Sequence, residues 1–347
     1  MHRFPTSDSV TEPPALSEVL GAVRGVDRES LVTAGFTGAR FERLVVTLAS
    51  GEQRRLVTKR FRPREDWTAV RSGDEHGRAQ AMLSEPRLAG IWEAFACPYL
   101  GYAAGDGEVT LLMMDLTPHL FPDVREPLRE LEETRVLGAL ASLHARFWGS
   151  PVLELPWLAR AEHHAGLLDA PCAADPARCA VFTDTLRENG TRGWAAALRR
   201  LPRSLDGLIR SPADELSWLW RDLPHTLVHG DAKVANFALL PDGRVAAFDW
   251  ALIGAGPATI DVGWYLAINA SRLTGTKEET LRRYRALLEA ARGVGLDDAC
   301  WDRLVRAGIV IAARMLLWSK ALALEAGRAG AEAEWTWWVE RLEAARA

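Results

Sequence analysis

A short polar segment near the middle of the chain has the residue types that phosphoryl transfer to a hydroxyl requires. It reads His229-Gly-Asp231-Ala-Lys233-Val-Ala-Asn236, and a second acid, Asp249, follows after one hairpin. In such a set, one carboxylate accepts the hydroxyl proton, while an amide oxygen and the other carboxylate hold Mg²⁺ against a triphosphate. Because the transferring phosphoryl group needs positioning and charge neutralisation rather than covalent help, few side chains suffice.

At these positions the sequence resembles the aminoglycoside phosphotransferase and choline kinase superfamily, whose members are relatives of protein kinases. The shared pattern comprises His229, Gly230, Asp231, Asn236, Phe248, Asp249 and Trp250. A later segment, Gly256-Pro257-Ala-Thr-Ile-Asp261, is also similar to the family's. The resemblance implies that Asp231 is the catalytic base and that Asn236 and Asp249 bind the metal ion. It also implies that Asp261 braces the catalytic loop.

Lysine is scarce in this chain, so the position of each lysine is informative. Only four of the 42 basic residues are lysines, and the other 38 are arginines. Lys59 lies in the strand-like run Leu56-Val-Thr-Lys59-Arg-Phe, which resembles the family strand whose lysine reaches the α- and β-phosphates. An ammonium group is a compact point charge that the wider arginine fork does not duplicate. The alternative is an exposed strand lysine.

Lys233 is the second candidate for a phosphate contact. It stands two residues after Asp231, where protein kinases also have a lysine, and the resemblance implies that it reaches the γ-phosphate. The alternative is a solvated loop lysine, since charges beside a motif are often bystanders.

The partner of Lys59 is less well marked. The family has a glutamate on the following helix, whereas this chain has alanine there. Glu75 lies four residues earlier on the predicted helix and is our candidate for this role. Glu75 is equally well explained as a surface acid at a helix N-terminus, and Glu85 follows the helix.

The remaining nucleotide-binding candidates are two glycines and two methionines. Gly35 and Gly38 would let backbone amides approach phosphate, although two glycines also make an ordinary turn. Met113 and Met114 resemble the hinge that meets adenine, although a buried strand would look the same. His144 lies on an apolar helical stripe, which is typical of a satisfied core histidine.

Hydrophobic periodicity predicts the elements that position these residues. It predicts a helix at 14–23, a hairpin at 41–48 and 55–61, a helix at 74–83, a strand at 108–114, a helix at 128–148 and a hairpin across 237–248. With the resemblance, these elements predict an α+β, bilobal protein-kinase-like fold. A small sheet-rich lobe would occupy residues 1–112 and a larger, mostly helical lobe residues 113–347, with a hinge at 113–117.

Composition excludes several classes of protein. The net charge of −4 gives no electrostatic case for binding nucleic acid or an anionic membrane. Four scattered cysteines indicate neither a disulfide framework nor a metal site, so we expect a reduced, cytoplasmic setting. The longest strongly apolar stretch ends at Arg314, which is too short for a membrane span. Most of the 14 tryptophans are expected in the core, although an aromatic platform for a substrate is the alternative.

These observations favour an ATP- and Mg²⁺-dependent kinase that phosphorylates a hydroxyl of a small metabolite or antibiotic. The alternative is a non-catalytic nucleotide-binding module, which the missing helix glutamate and the sparse glycine loop suggest. Metal-dependent hydrolysis fits poorly, because no second His/Asp cluster exists at ligand spacing. Residues 271–347 have 13 basic and 11 acidic residues, which weakly disfavours a dedicated site for a polycationic aminoglycoside; the alternative is a site lined by acids of residues 150–215 or near Asp249.

Overall fold

The N-terminal part of the protein is built around one mixed sheet. The computed structural model describes residues 1–31 and 38–346. The strands of this sheet are β1 (His2–Arg3), β2 (Val23–Leu31), β3 (Arg40–Leu48), β4 (Gln53–Phe61), β5 (Tyr99–Gly105) and β6 (Glu108–Met114). Their spatial order is β1–β5–β6–β4–β3–β2, and neighbours are antiparallel except for β1 and β5.

Strand β4 directs Lys59 towards the helical part of the protein. Side chains alternate between the two faces of a strand. Leu56 packs in the cluster on the outer face, beneath helix α1 (Pro13–Leu20). Val57 and Phe61 belong to the larger cluster that continues into the C-terminal part. Because Lys59 alternates in phase with Val57 and Phe61, its side chain lies on the inner face.

The predicted hairpin is confirmed. Strands β3 and β4 pair from Arg40 with Arg60 to Thr47 with Gln53. The connection contains Gly51 at φ 87°, a left-handed conformation that glycine adopts without steric cost. The predicted strand at 108–114 is also confirmed as β6, whereas β2 and β5 were not predicted.

The predicted helix over 74–83 is wrong in its first turn. The structure has α2 (Trp67–Ser72), α3 (Arg78–Ser84) and α4 (Ile91–Ala94). Between α2 and α3, the Asp74 carboxylate accepts hydrogen bonds from the backbone N–H groups of Gly77 (2.8 Å) and Arg78 (2.7 Å). Gly77 has φ 89°, which no right-handed helix contains. Glu75 therefore lies in a turn and is exposed.

Short strands also occur in the C-terminal part. They are β7 (Ala159–Arg160), β8 (Thr226–Val228), β9 (Phe237–Leu239), β10 (Val245–Ala247) and β11 (Gly254–Gly256). Strand β11 pairs with β8 antiparallel and with β7 parallel. Strands β9 and β10 form the predicted second hairpin, whose turn contains Gly243 at φ 82°.

Helices make up most of the C-terminal part, which confirms the predicted α+β class. They are α5 (Glu130–Arg146), α6 (Ala161–Ala165), α7 (Ala170–Ala173), α8 (Pro176–Cys179), α9 (Asp184–Arg200), α10 (Asp206–Arg210), α11 (Thr259–Ile268), α12 (Lys277–Arg292), α13 (Asp298–Glu325) and α14 (Ala331–Ala345). The predicted helix at 128–148 corresponds to α5.

Helix α13 runs through the core of this part. By length and composition alone it could cross a membrane, but 67% of its most apolar window is buried inside the protein. Arg314 interrupts the apolar run and is fully buried, with its guanidinium 2.6 Å from Asp169 Oδ2. Four backbone carbonyl groups accept from the same guanidinium and satisfy its remaining donors, as a buried charge requires.

Candidate active site

The loop from His229 to Asn236 begins at a very close approach between backbone segments. Gly230 has φ 82°, and a Cβ atom there would lie 2.1 Å from the carbonyl oxygen of Leu252. Only glycine fits, both for the conformation and for the space. The turn at Gly230 directs the chain from buried strand β8 to Asp231.

The Asp261 carboxylate holds this loop from behind. It accepts hydrogen bonds from the backbone N–H groups of His229 and Gly230, each at 2.7 Å, and lies 3.0 Å from Nε2 of His144. Burial opposes its charge, but His144, His229 and the Gly230 N–H hold the pKa of Asp261 below its ordinary value. His144 is fully buried with Tyr284 on its other nitrogen, which confirms it as a satisfied core histidine.

The His229 ring joins the loop to the segment that contains Asp249. Its Nδ1 atom accepts a hydrogen bond from the Asp231 N–H (3.2 Å), and its Nε2 atom lies 3.1 Å from the Phe248 carbonyl oxygen. These partners fix the tautomer with hydrogen on Nε2. Burial lowers the pKa of His229, against the opposite effect of Asp261 and Asp231. His229 is therefore a neutral connector with both ring nitrogens engaged.

Three side chains surround the Asp231 carboxylate. Trp264 donates its indole N–H to Oδ1 at 2.8 Å. Asn236 donates its amide N–H to Oδ2 at 2.9 Å, and the Lys233 ammonium also lies 2.9 Å from Oδ2. Each carboxylate oxygen has two lone pairs. Among the described residues, Oδ2 thus has two donors and Oδ1 has one, which leaves a position open on Oδ1.

Lys233 is held between two acids. Burial opposes its charge, but the carboxylates of Asp231 and Asp249 raise the pKa of Lys233 to about 12. Its side chain as a whole is 35% exposed. Lys233 is therefore a permanent cation at the edge of the site.

Asp249 and Lys59 form an ion pair across the two parts of the protein. The Lys59 Nζ atom lies 2.6 Å from Asp249 Oδ1, and the rings of Phe41 and Phe61 flank the ammonium at 5.9 and 5.5 Å. Burial alone would raise the pKa of Asp249, but the charges of Lys59 and Lys233 hold this pKa at about 2. Asp249 has φ 63°, an uncommon conformation for a residue with a side chain.

A second acid near Lys59 is Asp66, which sequence reasoning missed. Its carboxylate caps α2 by accepting from the N–H groups of Thr68 (2.8 Å) and Ala69 (3.1 Å). Burial raises the pKa of Asp66, while the Ala69 N–H and the charge of Lys59 lower it. Glu75, by contrast, is exposed, and Glu85 pairs with Arg87. Within the described residues, the acids near Lys59 are thus the half-buried Asp249 and the buried Asp66.

The remaining predicted positions lie along the sheet. Met113 is buried and Met114 is 37% exposed at the end of β6. Gly38 precedes β3, and a Cβ atom there would meet nothing within 4 Å. Gly35 lies outside the described residues. The structure therefore brings Lys59, Asp231, Lys233, Asn236 and Asp249 together, whereas Glu75 lies apart from them.

Comparison with known protein families identifies the family of this chain. The sequence profile of the phosphotransferase enzyme family, APH, matches residues 37–304. The chain belongs to this family. The match contains the sheet from β3 onwards, the His229–Asn236 loop and Asp261, but not the N-terminal helix α1. No curated protein matches the chain.

Solved structures of aminoglycoside phosphotransferases and of a choline kinase are similar to this chain at low identity. An aminoglycoside-3'-phosphotransferase of type VIII is 17% identical, with 85% of this chain and 98% of that chain covered and a TM-score of 0.45. An aminoglycoside phosphotransferase from Alicyclobacillus acidocaldarius is 14% identical, with 95% and 92% covered and a TM-score of 0.44. Choline kinase from Cryptosporidium parvum is 11% identical, with 92% and 89% covered and a TM-score of 0.49.

The donor set fits a magnesium ion. The Asn236 amide nitrogen donates to both the backbone carbonyl and the carboxylate of Asp231, which turns its oxygen away from that carboxylate. Asp249 uses Oδ1 for Lys59. Among the described residues, Asn236 Oδ1 and Asp249 Oδ2 have no donor in the structure. Mg²⁺ is bound in proteins through one or two such oxygens, and phosphates and water complete its shell.

Two residues at this site, Asp66 and Trp264, were not predicted from the sequence. Trp264 follows Asp261 by three residues on α11, so both lie on one face of the helix. That spacing is the signal that could have identified Trp264. For Asp66, the signal was the sequence Asp-Trp-Thr, in which an acid precedes a helix at the capping position.

Proposed function

We propose that this phosphotransferase moves the γ-phosphoryl group of ATP to a hydroxyl of a small metabolite or antibiotic. The observation that carries the proposal is the open position on Asp231 Oδ1, in a carboxylate whose other oxygen is held by Asn236 and Lys233. The family assignment supports phosphoryl transfer in general. The local geometry supports a hydroxyl acceptor, because a carboxylate with a free lone pair is a suitable proton acceptor.

In this proposal, Asp231 accepts the proton of the acceptor hydroxyl as its oxygen attacks phosphorus in line. His229 is unsuited to that task because its ring nitrogens are engaged by Asp231 N–H and the Phe248 carbonyl. Asn236 and Lys233 hold Oδ2, so the carboxylate has a fixed orientation before substrate binds. Such preorganisation is the main contribution that a protein makes to phosphoryl transfer.

ATP would lie between a small lobe at residues 1–112 and a larger one at 113–347. Lys59 would contact the α- and β-phosphates and Lys233 the γ-phosphate, with Gly35, Gly38, Met113 and Met114 near the nucleotide. Asn236 and Asp249 would hold Mg²⁺, which supplies charge neutralisation on the phosphates. Asp66 would keep Lys59 in place when the ammonium turns from Asp249 towards phosphate. This assignment replaces Glu75, whose exposed position gives it no such contact.

A module that only binds nucleotide is less well supported. Nucleotide binding alone gives no reason to hold Asp231 with three donors while leaving one lone pair open. That module would give nucleotide-dependent thermal stabilisation without ADP release for any acceptor.

A coupled ADP-release screen tests the proposal. Hydroxylated sugars, amino alcohols, aminoglycosides and other hydroxylated antibiotics are offered with MgATP. The Asp231→Asn variant is the blank, and Asp302→Asn, at an exposed position of α13, is the matched control. At least one acceptor should raise ADP release in the wild type and the control but not in the blank. Equal release by Asp231→Asn would refute the proposal.

A further inference from the structure

Helix α11 holds the His229–Asn236 loop through two of its residues and through Asn269, the residue that follows it. Asp261 accepts from the N–H groups at the start of the loop. Asn269, which follows the last turn of the helix, accepts from the Val234 N–H (3.0 Å) and donates to the Ala232 carbonyl (3.2 Å). Trp264 lies between them and contacts the Asp231 side chain itself. The backbone and the carboxylate are thus held by the same helix.

Helix α11 is itself fixed against α13 by glycine contacts. A Cβ atom on Gly263 would lie 2.3 Å from the Gly308 carbonyl oxygen, and one on Gly308 would lie 2.2 Å from that of Thr259. At such close approach, a small displacement of α11 causes a clash. Trp264 therefore projects from a rigid support, and its indole is largely buried in the core. Its N–H has a fixed position relative to Asp231.

An indole N–H is a suitable group for orienting a carboxylate base. It donates one hydrogen bond and has no acceptor atom, so it does not compete for the proton that the base receives. It is also neutral, so it does not add a cation to those already present at Lys233 and Lys59. The contact on Oδ1 occupies one of its two lone pairs and restricts rotation of the carboxylate.

We propose that Trp264 is a positioning residue, whose indole N–H aligns the open lone pair of Asp231 Oδ1 with the acceptor hydroxyl. This inference rests on the proposed function. The contact contributes to the rate of transfer and not to nucleotide binding, because Trp264 hydrogen-bonds to the base and, within the described part of the chain, to none of the groups assigned to ATP.

The test compares Trp264→Phe with Trp194→Phe. Trp194 is also buried and donates its indole N–H, to the Leu168 carbonyl at 2.8 Å, so both variants lose a ring and a hydrogen bond. ADP release from MgATP is measured with the best acceptor of the screen and with water as acceptor. Trp264→Phe should lower kcat at least about tenfold, which is equivalent to about 1.4 kcal/mol on the barrier. It should leave the affinity for AMP-PNP within twofold. Trp194→Phe should lower the melting temperature without changing kcat.

Two further proteins exclude a purely structural effect. Replacing Trp264 with benzothienylalanine keeps the shape of the ring and puts sulfur in place of N–H, so it should reproduce the loss in kcat at full stability. In the Asp231→Asn background, Trp264→Phe should change residual turnover less than twofold, because the two residues act as one unit. Unchanged kcat in the benzothienylalanine protein would overturn the inference. If Asp231→Asn itself retained full turnover, the proposed function would fail instead.

Discussion

The ammonium group of Lys59 lies 2.6 Å from the Asp249 carboxylate, although 190 positions separate the two residues in the chain. This contact connects the inner face of the sheet to the end of the β9–β10 hairpin. Both residues are largely removed from water, and each neutralises the other. An anionic ligand that enters here meets two lysines whose charges are already balanced by acids, so binding of Mg²⁺ and of triphosphate should depend on one another.

Replacing Lys59 should weaken nucleotide binding. In Lys59→Met, AMP-PNP affinity should fall at least about tenfold, since a charge-assisted hydrogen bond contributes about 1.5–3 kcal/mol. Lys59→Arg should not restore it, because the guanidinium fork has a different shape. Calorimetric titration measures this. Lys277→Met is the control, since Lys277 pairs with Glu334 away from the site. Equal losses in both variants would argue against a phosphate contact at Lys59.

Asp66 and Glu75 can be distinguished as partners of Lys59. Asp66→Asn keeps an oxygen for capping α2, so its melting temperature should change little. Its loss of charge should lower AMP-PNP affinity by about three- to tenfold. Glu75→Gln should bind as the wild type does, because Glu75 is exposed. Weaker AMP-PNP binding in Glu75→Gln alone would support Glu75, the candidate from the sequence, as the partner of Lys59.

Asp261 should make the fold sensitive to acid. Its pKa in the folded state is below the ordinary value of 3.8, so its contribution to stability is present above that value. It is lost as the pH falls through the lower, folded-state pKa. Asp261→Asn should cost about 2–4 kcal/mol at pH 7, because buried donors lose a charged acceptor. Melting temperatures measured from pH 7 to pH 3 should fall less steeply in the variant than in the wild type; parallel curves would contradict this.

Alanine substitutions at Gly230 and Gly51 distinguish the cost of backbone strain from the cost of a steric clash. Both have positive φ, but a Cβ atom on Gly51 meets nothing within 4 Å, whereas one on Gly230 meets the Leu252 carbonyl. Gly51→Ala should cost about 1–2 kcal/mol, the usual cost of that conformation. Gly230→Ala should cost at least about 3 kcal/mol and displace Asp231. Denaturant unfolding measures both, and equal costs would mean that the loop moves freely away from Leu252.

The features that sequence reasoning predicted are those with local causes. The His229–Asn236 loop and the hairpin before Asp249 place their side chains over short distances, so spacing alone is informative. The hairpin of β3 and β4 has alternating apolar residues and a glycine turn. The α+β class follows from the change of period along the chain.

The missed elements have causes that are distant in the chain. Strand β2 is a largely exposed edge strand with charged residues on both faces, so it lacks an apolar pattern. Strand β5 contains Gly101, where a Cβ atom would lie 2.6 Å from the ring of Phe4. Two pairs of residues come close together only when helices pack against strands and loops. They are Asp66 with Lys59, and Trp264 with Asp231.

The most direct test of the account follows the labelled phosphoryl group itself. Wild-type protein and Asp231→Asn are incubated with MgATP labelled in the γ-phosphate and with the best acceptor, and labelled product is quantified. The wild type should form a phosphate ester on the acceptor, and Asp231→Asn should form it at least about 100-fold more slowly, the usual contribution of a general base. Its AMP-PNP affinity and melting temperature should stay close to those of the wild type. Equal rates of ester formation by the two proteins would contradict the central claim that Asp231 is the base.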